Sequence, residues 1–170
     1  PGGSYVASDT IWRETVRARQ AGKPVVVSMG NVAGSGGYFV AAAADKIVAQ
    51  PGTITGSIGV IGGKIVTKKL MERIGVTTDE VHTSKNAAMW TNARDYTPEE
   101  WTIISSWLDH VYEDFTQKVA EGRGLTVEQV HSIAKGRVWT GEDAKGIGLV
   151  DELGGFPVAI NLAKEAAEIG

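Results

Sequence analysis

The chain has 170 residues, 42% of them hydrophobic and 22% charged, with a formal net charge of -3 and no cysteine. That length supports one ordinary domain with a sizeable buried core. The lack of cysteine excludes disulfides and thiol chemistry. The weak negative charge argues against a nucleic-acid surface or a polybasic membrane patch, and no stretch reads as a signal peptide or reaches the roughly 18 apolar residues of a spanning helix.

In chain order, Pro1-Gly2-Gly3-Ser4 is a glycine turn with no initiator methionine before it, so the chain is expected to be a piece of a longer protein. Ser8 or Asp9 reads as the cap of a helix from Thr10 to Gln20, stopped by Gly22 and Pro24. The β-branched run Val25-Val26-Val27 predicts a buried strand, followed by a turn dense in small residues and a helical segment from Tyr38 to Ala44. Asp45 to Ala49 predicts a short strand. Thr53 to Ile61 is β-rich but broken by Gly56 and Gly59, where the backbone can pass close to another group. Lys68 to Ile74 predicts a short helix, Val76 to Val81 a strand, and Ser84 to Tyr96 a loop. Thr97-Pro98-Glu99-Glu100 is a capping box for a helix reaching Gly122, with Ile104, Trp107, Leu108, Val111, Phe115 and Val119 on its apolar face. Thr126 to Gln129 repeats the capping pattern before a shorter helix ending at Gly136. Val138-Trp139 and Leu149-Val150 read as short strands around a brief helix from Thr140 to Gly146, and a last helix runs from Pro157 to Glu168. Strands alternating with helices predict an α/β fold with a largely parallel sheet and flanking helices, residues 1–170 forming a single domain.

The chemistry centres on Ser35, at the turn from strand into helix. A serine there exposes its hydroxyl beside the free N–H groups of the first helical turn, the logic of a nucleophile elbow, although the full G-x-S-x-G spacing is not met. Two roles stand open for it, nucleophile and helix cap. Gly36 N–H is a natural oxyanion donor, and Gly2-Gly3 offers a second turn where backbone can approach a substrate carbonyl. A base for the serine could be a histidine or a desolvated lysine. His82, His110 and His131 are isolated, and among Lys46, Lys64, Lys68, Lys69 and Lys85 the loop residue Lys85 is the best-placed internal candidate. No Walker or dinucleotide fingerprint is complete, and the histidine spacing suits no metal, so neither cofactor nor metal is expected.

Longer motifs carry a resemblance. Pro1-Gly2-Gly3-Ser4, Ser28-Met29-Gly30 leading to Ala33-Gly34-Ser35-Gly36-Gly37-Tyr38, Ala43 to Ala49, Pro51 to Val60, Gly122-Arg123-Gly124, Gly136 to Gly141 and Gly148 to Gly154 resemble the signal peptide peptidase A (protease IV) family over essentially the whole chain. The resemblance implies a Clp/crotonase-like fold and a Ser/Lys endopeptidase. Its nucleophile falls on Ser35, and its oxyanion donors fall on Gly36 and, by analogy with Clp proteases, Gly3. The segment around Ser57 would line the substrate groove.

In single-unit relatives the catalytic lysine would fall near Ala87 or Ala88, but this chain reads Ser84-Lys85-Asn86-Ala87-Ala88. That departure is the pattern of tandem members, whose N-terminal half supplies lysine to a serine in the C-terminal half. The chain is therefore expected to be the C-terminal half, with Lys85 the fallback base. The expected partners are signal-peptide remnants, a missing N-terminal half and further copies in a homo-oligomer, a tetramer by resemblance. The membrane would be reached through a segment elsewhere in the chain, on the extracytoplasmic face. A catalytically incomplete scaffold half is the competing reading, and an acyl-CoA-binding crotonase relative a more distant one.

Overall fold

The computed structural model describes residues 2–169; Pro1, which opens the Pro-Gly-Gly motif, and Gly170 lie outside the described residues. The chain divides into two units, Pro1–Val60 with Val111–Gly170, and Ile61–His110.

In the first unit, helix α1 spans Tyr5–Gln20 and strand β1 Val26–Ser28. Strand β2 (Val32–Gly34) leads into helix α2 (Gly36–Ala41), then β3 (Lys46–Ala49) and β4 (Ile54–Gly56). Helix α3 (Lys68–Arg73) lies in the second unit; α4 (Pro98–Arg123) begins there and continues into the first beyond His110. The first unit is completed by α5 (Val127–Ile133), β5 (Val138–Thr140), α6 (Gly141–Gly146), β6 (Glu152–Leu153) and α7 (Phe156–Ala166).

The strands make two three-stranded sheets. One is parallel throughout, in the order β1-β3-β6; the other runs β2-β4-β5, with β2 parallel and β5 antiparallel to β4. The α/β class and the mainly parallel pairing expected from the sequence are therefore present. Tyr38, Ile47, Val48, Val119, Val130 and Leu149 are wholly buried in the first unit, most of them in one apolar core. Each such side chain contributes on the order of 2 kcal/mol through removal from water. Small residues permit the close approaches. A β-carbon on Gly122 would run into the Ala42 carbonyl, and one on Gly141 into that of Gln50.

Several expectations are corrected. Helix α1 starts earlier than Thr10, because Ser4 rather than Ser8 or Asp9 caps it, its side chain accepting from Ala7 N–H at 3.5 Å. The segment from Tyr38 to Ala44 is helical only to Ala41, and the helix begins at Gly36. The small-residue turn after β1 contains a strand of its own, β2, whose short side chains and flanking glycines give it no β-branched run to mark it in sequence. Only Ile54–Gly56 of the β-rich stretch from Thr53 to Ile61 pairs. Val76 to Val81 is no strand: it has no pairing partner among the described residues, and Val81 is fully exposed despite its β-branched side chain. The strand expected at Leu149-Val150 lies at Glu152–Leu153, since Leu149 and Val150 donate instead to the Ala144 carbonyl in α6.

The second unit is loop-rich. Its best-defined feature is the start of α4, where Glu100, 1% exposed, accepts two hydrogen bonds of 2.7 Å from Arg94 and one of 2.8 Å from Thr97 N–H. Arg94 and the Thr97 N–H together hold the Glu100 carboxyl well below the usual range, at about 2. No helix among the described residues is long and apolar enough to cross a membrane.

Candidate active site

The site grows from two parallel strands in matched register. Gly34 ends β2 directly beside Gly56, which ends β4. Each glycine is followed by a serine with a left-handed backbone: Ser35 has φ 53° and Ser57 φ 50°. Such a conformation costs a non-glycine residue about 1–3 kcal/mol, and it persists only where the surroundings impose it. Here the surroundings are explicit. Ser35 N–H donates to the Gly56 carbonyl at 2.9 Å, continuing the ladder one step past the strand, while Ser57 N–H donates to the Arg137 carbonyl at 2.7 Å. A β-carbon on Gly34 would lie 3.2 Å from that of Ser57, so the two turns are tightly stacked. Gly56 has φ 73°, and a β-carbon there would lie 2.7 Å from Trp139 Cδ1.

Ser35 occupies the N-cap position of α2, and its carbonyl accepts from Phe39 N–H at 2.8 Å, but its hydroxyl makes no capping hydrogen bond. The helix start therefore uses the serine's backbone and leaves its side chain free, which removes the cap role as the explanation for the hydroxyl.

The N-terminal glycine turn comes to the same place. Gly2 lies beside Ser35: a β-carbon on it would be 3.9 Å from both Cβ and Oγ of the serine. A β-carbon on Gly36 would be 3.2 Å from Gly3 N and 2.8 Å from Ser8 Oγ. Among the described residues neither the Gly3 nor the Gly36 N–H finds an acceptor. Two backbone N–H groups without an acceptor among the described residues thus lie in the same neighbourhood as a serine hydroxyl that makes no capping bond. Hydrogen bonds tie the scaffold beneath. Thr55 Oγ1 donates to the Ala33 carbonyl at 2.9 Å, and the buried Tyr38 hydroxyl donates to the Leu149 carbonyl at 2.9 Å. Burial pushes the Tyr38 phenol far above its ordinary range, so it stays neutral.

The candidate bases of the first unit are engaged away from the serine. No lysine or histidine of the first unit hydrogen-bonds Ser35 among the described residues. Lys46 lies 3.9 Å from Asp151, and His131 stacks on Tyr112. Lys118, which no sequence signal singles out, is committed elsewhere: burial disfavours its charge, but hydrogen bonds to Asp114 and Asp9 outweigh that and raise its pKa, so it remains an ammonium. Lys64, Lys68, Lys69 and Lys85 belong to the second unit. Lys64 donates to the Met89 carbonyl at 2.8 Å and lies over the Tyr96 ring. A lysine base must be neutral, which burial favours; Lys85 is 76% exposed and ion-paired with Glu99. Sequence reasoning places Ser57 only in a groove-lining segment and misses that it mirrors Ser35. The signal is present in the repeated Gly-Ser pair at Gly34-Ser35 and Gly56-Ser57.

This is a Clp-like α/β fold with a serine elbow. A mutant ClpP1 from Listeria monocytogenes superposes with a TM-score of 0.51 at 12% identity, covering 92% of this chain and 89% of that one. Residues 17–170 match the model of Peptidase family S49, and the chain belongs to that family. It is 46% identical over 169 residues to Protease 4 of Salmonella typhi, covering 99% of this chain and 27% of that protein. It is 42% identical over 170 residues to the chloroplastic serine protease SPPA of Arabidopsis thaliana, covering 99% and 25%. The chain thus spans about a quarter of the length of these relatives.

Proposed function

We propose that residues 1–170 act as the serine-bearing peptidase domain of a longer Ser/Lys endopeptidase, with Ser35 as nucleophile and the Gly36 and Gly3 N–H groups as its oxyanion hole. The observation that carries this reading is the strained, uncapped Ser35 near two backbone donors that find no acceptor among the described residues. In the reaction a neutral lysine takes the Ser35 hydroxyl proton as Oγ attacks the peptide carbonyl. The carbonyl oxygen becomes an anion held by Gly36 and Gly3. Collapse breaks the C–N bond, and the lysine returns the proton to the leaving amine. Water, deprotonated by the same lysine, then hydrolyses the acyl-serine.

The lysine comes from an N-terminal half of the longer chain. Two things support this: among the described residues no first-unit lysine bonds the serine, and Lys85 is exposed and paired with Glu99. The family resemblance supports signal-peptide remnants as substrates, Ser57 as part of the groove, a tetrameric assembly, and work at the extracytoplasmic face of a membrane reached through a segment elsewhere in the chain.

The test is a peptidase assay on the full-length protein. Ser35→Ala should lower kcat by about 10⁴-fold or more, as loss of a nucleophile does, while Lys85→Ala should leave it unchanged. Loss of activity in Lys85→Ala would instead make Lys85 the base and remove the need for a second half. A folded full-length protein that neither cleaves peptides nor takes up a fluorophosphonate at Ser35 would be a scaffold.

A further inference from the structure

One ammonium ties together the helices that carry the two proposed oxyanion donors. Helix α1 starts two residues after Gly3, and α2 starts at Gly36. Lys118 reaches from α4 to both. Its Nζ donates to Asp9 of α1 at 2.7 Å and to Asp114 of its own helix at 2.6 Å. It also lies 4.7 Å from the Trp12 ring centre on α1 and 5.1 Å from that of Phe39 on α2. Asp114 accepts in turn from the Tyr5 hydroxyl at 2.9 Å, in the first turn of α1, and the Tyr5 ring meets Phe39 edge-on with centroids 6.0 Å apart. Tyr5, Ser8, Asp9 and Trp12 recur at helical spacing, so they form one face of α1. Ser8 on that face presses its hydroxyl against Gly36.

The Lys118 side chain is only 12% exposed. Its charge is balanced by two carboxylates, one of which also meets Arg13 at 3.1 Å. Partly desolvated, charge-assisted bonds of this kind are directional and stronger than surface pairs. They tie α1 to α4 and lie against Phe39 of α2, on the same face of α1 as Ser8, which meets Gly36.

We propose that Lys118 is a positioning residue for catalysis: through Asp9, Asp114 and Tyr5 it holds Gly3 at the height where its N–H can share an oxyanion with Gly36. The inference rests on the reading of Gly3 and Gly36 as oxyanion donors. Because the donors act on the transition state, a small displacement lowers turnover without weakening substrate binding.

The experiment uses the full-length enzyme, with kcat and KM on a peptide substrate and the inhibition constant of a matching peptide aldehyde, which forms a tetrahedral adduct with the serine. Lys118→Met should lower kcat by roughly 10-fold or more and weaken aldehyde inhibition by a similar factor, with KM within about twofold. Tyr5→Phe removes only the hydroxyl of the same network and should lower kcat about threefold, in case the lysine variant does not fold. Val130→Ala, a buried change in α5, serves as the stability control and should leave all three quantities unaltered at a temperature where it is folded. Unchanged kcat and aldehyde inhibition in Lys118→Met and Tyr5→Phe would overturn the proposal, as would equal losses in Val130→Ala. Activity that survives Ser35→Ala would overturn the catalytic reading beneath it, a different result from either.

Discussion

Ser35 holds φ 53° and ψ -118° while carrying a β-carbon. The strain belongs to the backbone and the proposed chemistry to the hydroxyl, so substitution can separate them. Ser35→Ala and Ser35→Gly remove the same hydroxyl, but only glycine enters the left-handed region freely. In the full-length protein Ser35→Gly should be more stable than Ser35→Ala by about 1 kcal/mol, read from thermal or urea midpoints, with both equally inactive. Equal midpoints would mean that the turn is not strained. Part of this is legible in the chain: glycines on both sides of Ser35 mark a tight turn, and the sequence offers Gly36 and Gly3 as donors. Their proximity is not legible, because Gly3 meets Gly36 only through the docking of α1 on α2, which depends on contacts such as Tyr5 to Asp114 between residues far apart in the chain.

Helix α4 shows how an element's own signals survive into structure. Thr97-Pro98-Glu99-Glu100 predicts its start, and the structure adds Arg94, which binds the capping carboxylate in a two-pronged pair. Glu100 titrates at about 2 when folded, below its ordinary value of 4.5. The folded state therefore binds this proton less readily than the unfolded chain does. Its stabilising contribution is complete above roughly pH 4.5 and declines as pH falls towards 2. Protection factors of the amides in the first α4 turn, taken relative to the intrinsic exchange rate at each pH, should fall across that window, and Glu100→Gln should flatten the response; an unaltered profile in the variant would assign the acid sensitivity to another group. Helices with caps and apolar faces are readable in this way. The strands are less so, since three-residue strands carry too few residues for a period. β2 hides in a glycine-rich turn, whereas Val76 to Val81 has β-branched residues and no strand to pair with.

At the scale of the whole molecule, the two units differ in how their backbone is secured. The first contains every strand among the described residues and a continuous apolar core. In the second, the stretch between α3 and α4 has no helix or strand, and most of its residues are exposed. Such backbone is cut first by proteases. Brief trypsin or subtilisin treatment should nick the chain between Val76 and Tyr96 before any site in the first unit, as mapped by mass spectrometry; earlier cuts within β1 to β4 would contradict this ranking of local stability. The aromatic residues divide along the same line. Trp90, Trp101 and Trp107 of the second unit are about half exposed, while Trp12 and Trp139 of the first are partly buried. Trp139 is anchored by its own N–H to the Ile133 carbonyl at 3.0 Å and packs on Gly56, next in sequence to Ser57. The molecule therefore carries its own optical probe. Iodide quenches the three exposed indoles preferentially, and the remaining emission includes a fluorophore built into the turn that stacks against the serine elbow. If a peptide bound at Ser35 shifts the Gly56-Ser57 turn, the colour and lifetime of that emission should change on adding substrate to the Ser35→Ala protein, and an unaltered spectrum would show that Trp139 does not sense the site.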